Sequence, residues 1–189
     1  TLVARRHDAA RAEQVVRAAR QAGFENLSID LMLAIPGQTE AGFRRSLDKA
    51  IALATDHLSL YLLEIHESSE MDFLRRERPR LFPGEEAERR RYLAMHGRLL
   101  AAGYEHYEIS NFARPGKQGR HNLRYWHLEP WLGLGPAAHS FVDGRRFRHP
   151  ADLGAWLRDP LAAEPLDNDL AQERAMLGLR LEEGIDMET

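Results

Sequence analysis

Six consecutive residues, His121-Asn122-Leu123-Arg124-Tyr125-Trp126, bring an imidazole, an amide, a phenol and an indole together. A neutral imidazole nitrogen can ligate haem iron. Phenol and indole rings can cover a flat macrocycle. Gly133-Leu134-Gly135-Pro136-Ala137-Ala138-His139-Ser140 follows closely. Its glycines allow close backbone approach, and His139 is a further candidate ligand. Residue types alone leave two readings open. One is a ligand site. The other is a small aromatic core under a loop, with His121 satisfied by backbone. The histidines here lack zinc-protease spacing and cysteine partners, which argues against zinc.

Asp30 poses a second question. It stands inside Leu27-Ser28-Ile29-Asp30-Leu31-Met32-Leu33-Ala34-Ile35, an otherwise apolar run. An unpaired buried carboxylate is costly, so it is either bonded to a neighbouring loop or placed to bind something. Glu64 raises the same question nearer the end of a second apolar run. Pro36-Gly37-Gln38-Thr39 reads as a strand-to-helix turn with a capping threonine. Arg5, Arg6 and His7 form a basic group that, on its own, is solvated surface. Arg89-Arg90-Arg91 lies near Glu85, Glu86 and Glu88, the charge lacing of an exposed helix face.

The elements that must position these groups follow from periodicity. Residues 8–22 carry apolar positions at helical spacing and stop at Gly23. Residues 27–35 and 57–65 are nearly continuous apolar runs, as in strands buried on both faces of a parallel sheet. Helices are expected from Thr39 to about Ala54 and from Glu85 to Ala102, with a third strand over 104–109. The order α-β-α-β-α-β predicts a parallel α/β sheet. After Asn111 the texture changes, and 111–149 reads as irregular and rich in Gly, Pro, His and aromatics. A hairpin turned at Asp143-Gly144 fits Phe141–His149. Helices are expected over 150–158 and 168–182. The domain expectation is therefore 1–112, then 113–189.

Composition narrows the classes. The 189 residues, 43% hydrophobic and 29% charged, suit one soluble globular domain or most of one. A net charge of -3 lacks the basic excess of a dedicated nucleic-acid binder. No apolar run reaches the roughly 20 residues that span a bilayer. With no cysteine, the chain itself offers no disulfide, CxxC redox pair or thiolate metal site. It opens on Thr1 with residues that already look part of an element, the pattern expected of a fragment.

Five ordered motifs carry a resemblance. They are Ile29-Asp30-Leu31 with Ile35-Pro36-Gly37-Gln38-Thr39, Leu58-Ser59-Leu60-Tyr61, Gly103-Tyr104 to Phe112-Ala113, the His121–Trp126 run, and Gly133-Leu134-Gly135 to His139-Ser140. In this order the chain resembles radical S-adenosylmethionine proteins related to oxygen-independent coproporphyrinogen III oxidase. It is more similar to the haem-chaperone branch, whose mark is His-Asn-x-x-Tyr-Trp. The resemblance implies the C-terminal portion of a partial (β/α) barrel followed by a small α+β or helical region. It implies an amino-terminal C-x-x-x-C-x-x-C loop holding a [4Fe–4S] cluster, whose unique iron S-adenosylmethionine ligates. That loop does not occur in this sequence, which starts just after the family's fourth barrel strand.

The resemblance also implies roles. Arg5 faces the carboxylate of S-adenosylmethionine, Asp30 takes its ribose hydroxyls, and Glu64 is carried over weakly. His121 handles haem, with Asn122, Tyr125 and Trp126 shaping the site. The implied function is haem binding and transfer to haem proteins of respiration, in the cytoplasm, with self-association. The alternative is the decarboxylase itself, removing two propionate carboxyls by radical chemistry. The His-Asn-x-x-Tyr-Trp run separates the two, because it is expected in the chaperone branch alone.

Overall fold

Asp8 starts the first helix: its carboxylate accepts from the Arg11 N–H at 2.8 Å. The computed structural model describes residues 8–186. Helix α1 (Ala9–Gln21) ends before Gly23, whose φ of +90° is the left-handed geometry that glycine tolerates. Strand β1 (Ser28–Leu33) follows, then helix α2 (Glu40–Ala52). Thr39 caps α2 as expected, its hydroxyl accepting from the Gly42 N–H at 3.1 Å. Strand β2 (His57–Leu62) completes a parallel pair with β1.

The stretch before Pro83 is more ordered than its polarity suggests. It holds helix α3 (Glu70–Glu77), capped by Ser69, and a single 3₁₀ turn at Pro79–Leu81. Helix α4 (Glu85–Ala101) then leads to strands β3 (Glu105–Glu108) and β4 (Asn111–Ala113). Here the expectation of an all-parallel sheet fails. The order is β1-β2-β4-β3, and β4 runs antiparallel to both β2 and β3. The chain reverses through Ile109 and Ser110, so β4 rather than β3 takes the place beside β2. β1 lies at one edge, so it is not buried on both faces. Ser28 and Asp30 are exposed and only Leu33 is fully buried.

The two faces of this sheet differ in chemistry. Leu58, Leu60 and Leu33 point to the helix side, where Phe43, Leu47, Met95, Leu99, Tyr104 and Phe112 complete the core. The other face carries Ser28, Asp30, His57, Ser59 and Asn111, as the strand register requires. Arg91 departs from the expected exposed lacing of α4. It is buried, pairs with Glu40 at 3.3 Å and donates to the Gln38 carbonyl at 2.9 Å. Arg89 and Arg90 do lie exposed near Glu86.

The chain divides after Gln118 into two compact units. β4 straddles the expected boundary at 112/113, and Arg114 stacks on Tyr104 at 4.2 Å, so both belong to the first unit. The second unit opens with helix α5 (Arg120–Trp126), in place of the irregular structure expected there. Strands β5 (His139–Val142), β6 (Arg145–Arg148) and β7 (Glu164–Leu166) form an antiparallel sheet. Asp143 and Gly144 make the β5–β6 turn with φ of +50° and +73°. Helices α6 (Leu153–Arg158) and α7 (Leu170–Gly178) complete the unit. α7 is shorter than expected: the chain returns over Gly178, where a Cβ would stand 2.1 Å from Ile185.

Phe112 is wholly buried between the sheet and helix layers of the first unit. Phe112→Ala is expected to destabilise the chain by about 3–5 kcal/mol. Urea unfolding followed by circular dichroism checks this, and a loss below about 1 kcal/mol would contradict the assigned core.

Candidate functional site

Asp30 sits midway along β1, opposite Ser59 in the register. As an exposed edge residue its carboxylate needs no buried partner. It borders a cleft of about 520 Å³ between α1 and the free edge of β1, with Arg11, Val15 and Ile29. An ionised carboxylate accepts only, so it suits hydroxyl or N–H donors. Glu64 falls two residues past the end of β2, rather than within it, and is exposed. Arg5 lies outside the described residues.

Beside Asp30 is a polar network that the sequence reading missed. His57, buried on β2, bonds Ser28 of β1 through Nδ1 at 2.8 Å and the Tyr107 hydroxyl of β3 through Nε2 at 2.7 Å. It thus ties together strands that are not neighbours in the sheet. Glu108 is buried too, and accepts from the Ser110 N–H at 2.7 Å and from the Asn111 amide. The Asn111 Oδ1 is buried without a hydrogen-bond partner. Burial pushes the His57 imidazole below the ordinary histidine value, against the pull of the Asp30 and Glu108 carboxylates. The available signal was a histidine and a serine alternating within an apolar strand.

The second set of candidates lies on α5. Helical spacing puts His121 and Tyr125 on one face, with Nε2 and the phenol oxygen 2.9 Å apart. Their rings meet edge to face at 4.9 Å. Tyr125 packs edge-on against Trp131 at 4.7 Å, and Trp131 lies 5.2 Å from Phe141. Arg146 of β6 covers Trp131 at 4.9 Å and is itself held by Glu173 of α7 at 2.8 Å. Tyr125 therefore belongs to an aromatic row, while His121 stands exposed at its end. Trp126 faces another way, under the Arg180 guanidinium at 4.6 Å. Asn122 is half-buried on the same helix.

The glycine-rich stretch supports this row rather than adding a ligand. A Cβ on Gly133 would stand 2.2 Å from the His139 carbonyl oxygen, so only glycine fits. The buried Ser140 hydroxyl accepts from the Gly133 N–H at 3.0 Å. The flanking Leu132 and Leu134 are 65% and 84% exposed. Sequence reasoning named Leu134 only as part of the glycine-rich motif, and did not name Leu132, Trp131 or Arg146. Asp30 and Glu64 belong to the first unit and the α5 residues to the second.

Fit to the expected groups differs. An exposed imidazole beside a ring has the chemistry of a possible iron ligand, and an exposed carboxylate such as Asp30 can accept from hydroxyl donors. An iron–sulfur cluster finds no thiolate here, since the chain has no cysteine. The described residues contain no group of three or more His, Asp or Glu side chains placed to hold a metal ion. Nor do they contain a helix long and apolar enough to cross a membrane.

The fold is that of the radical S-adenosylmethionine class. The chain superposes on coproporphyrinogen III oxidase from Escherichia coli, a radical SAM enzyme, with a TM-score of 0.73 and 20% identity. That match covers 95% of this chain and 46% of the other. No family model matches. Among curated proteins, the chain is 37% identical to the heme chaperone HemW of Synechocystis sp., over 97% of this chain and 47% of that protein. It is 34% identical to HemW of Bacillus subtilis, over 88% and 46%. A mitochondrial radical S-adenosyl methionine domain-containing protein 1 from Danio rerio is 33% identical, over 97% and 45%. This chain is similar to the HemW heme chaperones over nearly its whole length. It spans about half the length of the curated relatives it matches.

The depressed His57 value fixes a sign. The folded chain prefers neutral His57, so the unfolded chain binds the proton more tightly. His57 therefore supports the fold fully above about pH 6.5, and that support declines as pH falls towards its depressed folded value. The loss begins at about pH 6.5, above the ordinary carboxylate range at about pH 4. Urea midpoints measured from pH 7.5 to 5 are expected to fall in the native chain and to fall less in His57→Gln. Parallel curves for the two would sink this assignment.

Proposed function

We propose that this protein is a haem chaperone that binds haem at α5 and passes it to haem proteins of respiration. The observation that carries the proposal is the exposed His121, placed by the helix beside Tyr125 at the end of an aromatic row that runs through Trp131 to Phe141. The chaperone names of relatives 37% and 34% identical support it. The decarboxylase alternative retains a fold likeness alone, at 20% identity.

Within this reading His121 offers an imidazole to iron with the Tyr125 ring beside it, Asn122 lies on the same helix, and Trp126, turned under Arg180, shapes the site by holding the helix from its other side. Asp30 hydrogen-bonds the ribose hydroxyls of S-adenosylmethionine, and Glu64 lies near the same cofactor. Arg5 pairs with its carboxylate, for which a guanidinium fork is well shaped. Cluster thiolates have to come from cysteines that this sequence does not contain. Self-association and a cytoplasmic setting belong to the same proposal.

Absorbance titration with haem tests it. The native chain is expected to give a Soret shift, and His121→Ala to lose roughly tenfold or more in affinity. His121 is exposed, so the substitution leaves packing intact. Equal titrations would reduce the α5 cluster to an aromatic support.

A further inference from the structure

The bond between His121 and Tyr125 occupies the nitrogen that an incoming iron would use. Nε2 lies 2.9 Å from the Tyr125 phenol oxygen. A neutral imidazole has one N–H and one acceptor nitrogen. If Nε2 accepts, its lone pair is engaged by the phenol proton. If Nε2 donates, it carries a proton and has no lone pair to give. In either tautomer Nε2 binds iron only after the pair opens. Nδ1 is the poorer alternative for a wide macrocycle, because it lies next to Cβ and so closer to the helix backbone.

The two partners are not equally free to move. Tyr125 is pinned edge-on to Trp131 at 4.7 Å and 89°. Trp131 is held in turn by Phe141 at 5.2 Å and by the Arg146–Glu173 ion pair above it. His121 is exposed in the first turn of α5, so less packing opposes a change of its rotamer. Opening the pair is therefore a rotation of His121 away from a fixed phenol.

We propose that Tyr125 is a parking site for His121, a positioning residue that competes with haem iron for the imidazole. This deepens, and rests on, the haem-binding reading above. With haem absent, His121 sits on Tyr125. With haem bound, it swings out to the iron. Only the unparked fraction binds, so the apparent affinity is lowered by that fraction. On release, the phenol recaptures the imidazole and opposes rebinding. A carrier that must let go of its cargo gains from such a competitor, whereas a protein that keeps its haem would not. Exposed neutral hydrogen bonds have modest net strength, so the effect is expected at roughly three- to tenfold.

The test compares the full native chain, Tyr125→Phe and His121→Ala in haem titration and in haem transfer to apomyoglobin. Tyr125→Phe keeps the ring against Trp131 and removes only the hydroxyl. It is expected to bind haem about three- to tenfold more tightly, through faster association, and to hold haem longer against apomyoglobin because released haem rebinds more readily. The absorption spectrum of its haem complex should match that of the native chain. Weaker or unchanged binding by Tyr125→Phe overturns the proposal, and weaker binding with an altered spectrum would make Tyr125 itself a ligand. If His121→Ala holds haem as the native chain does, the haem-binding reading fails and parking fails with it. If His121→Ala loses haem while Tyr125→Phe gains nothing, parking alone fails. The ¹⁵N resonance of His121 Nε2 in the haem-free native chain is a check that needs no variant. A hydrogen-bonded nitrogen is expected, and a free-imidazole signature overturns the proposal.

Discussion

The first unit depends on β2, the one strand of its sheet with a parallel neighbour, an antiparallel neighbour and two chemically opposite faces. Its Leu58 and Leu60 anchor the helix-side core. Its His57 and Ser59 are buried on the other face. Burying His57 is costly unless both ring nitrogens are partnered, and Ser28 and Tyr107 provide that. The same two bonds hold β1 and β3 in register relative to β2. A polar constraint thus sets strand placement that the apolar core, being non-directional, would leave looser.

That polar face makes Asp30 usable. An aspartate facing the helices would have to be neutral or ion-paired. At the edge of the sheet it stays exposed beside a cleft, and no hydrogen bond to its carboxylate is made among the described residues. Position rather than residue type distinguishes it from Glu108, which is buried and engaged with Ser110 and Asn111.

The second unit solves a different problem, which is to keep one histidine exposed and oriented on a short helix. Seven residues of α5 are too few to be stable in isolation. Rings do the holding: Tyr125 on Trp131, Trp131 on Phe141, with Arg146 and Glu173 fastening the row to β6 and α7. Gly133 lets the chain pass against the His139 carbonyl, and the flanking Leu132 and Leu134 are exposed. Support comes partly from nearby, with Trp131 six positions beyond Tyr125, and partly from Phe141, Arg146 and Glu173 farther along the chain.

Local chemistry was legible from the sequence. Thr39 as a cap, Gly23 as a helix stop and Asp143-Gly144 as a turn each depend on a few bonded neighbours, so composition decides them. The motif residues were legible as a set for the same reason, because their types define the chemistry they can do. Pairing and exposure were not. β1 and β2 are both apolar runs, yet only β2 is flanked on both sides, and no local pattern says which strand β4 will join. The helix of α5 was hidden too, since its order comes from Trp131 and Arg146 rather than from its own periodicity. Arg91 looked like Arg89 and Arg90 until Gln38 and Glu40 met it across the fold. The sequence by itself determined which groups are available and where turns and caps fall. Only the tertiary structure decided which of those groups are buried and partnered and which stand exposed, because burial is a property of long-range packing and not of neighbours along the chain.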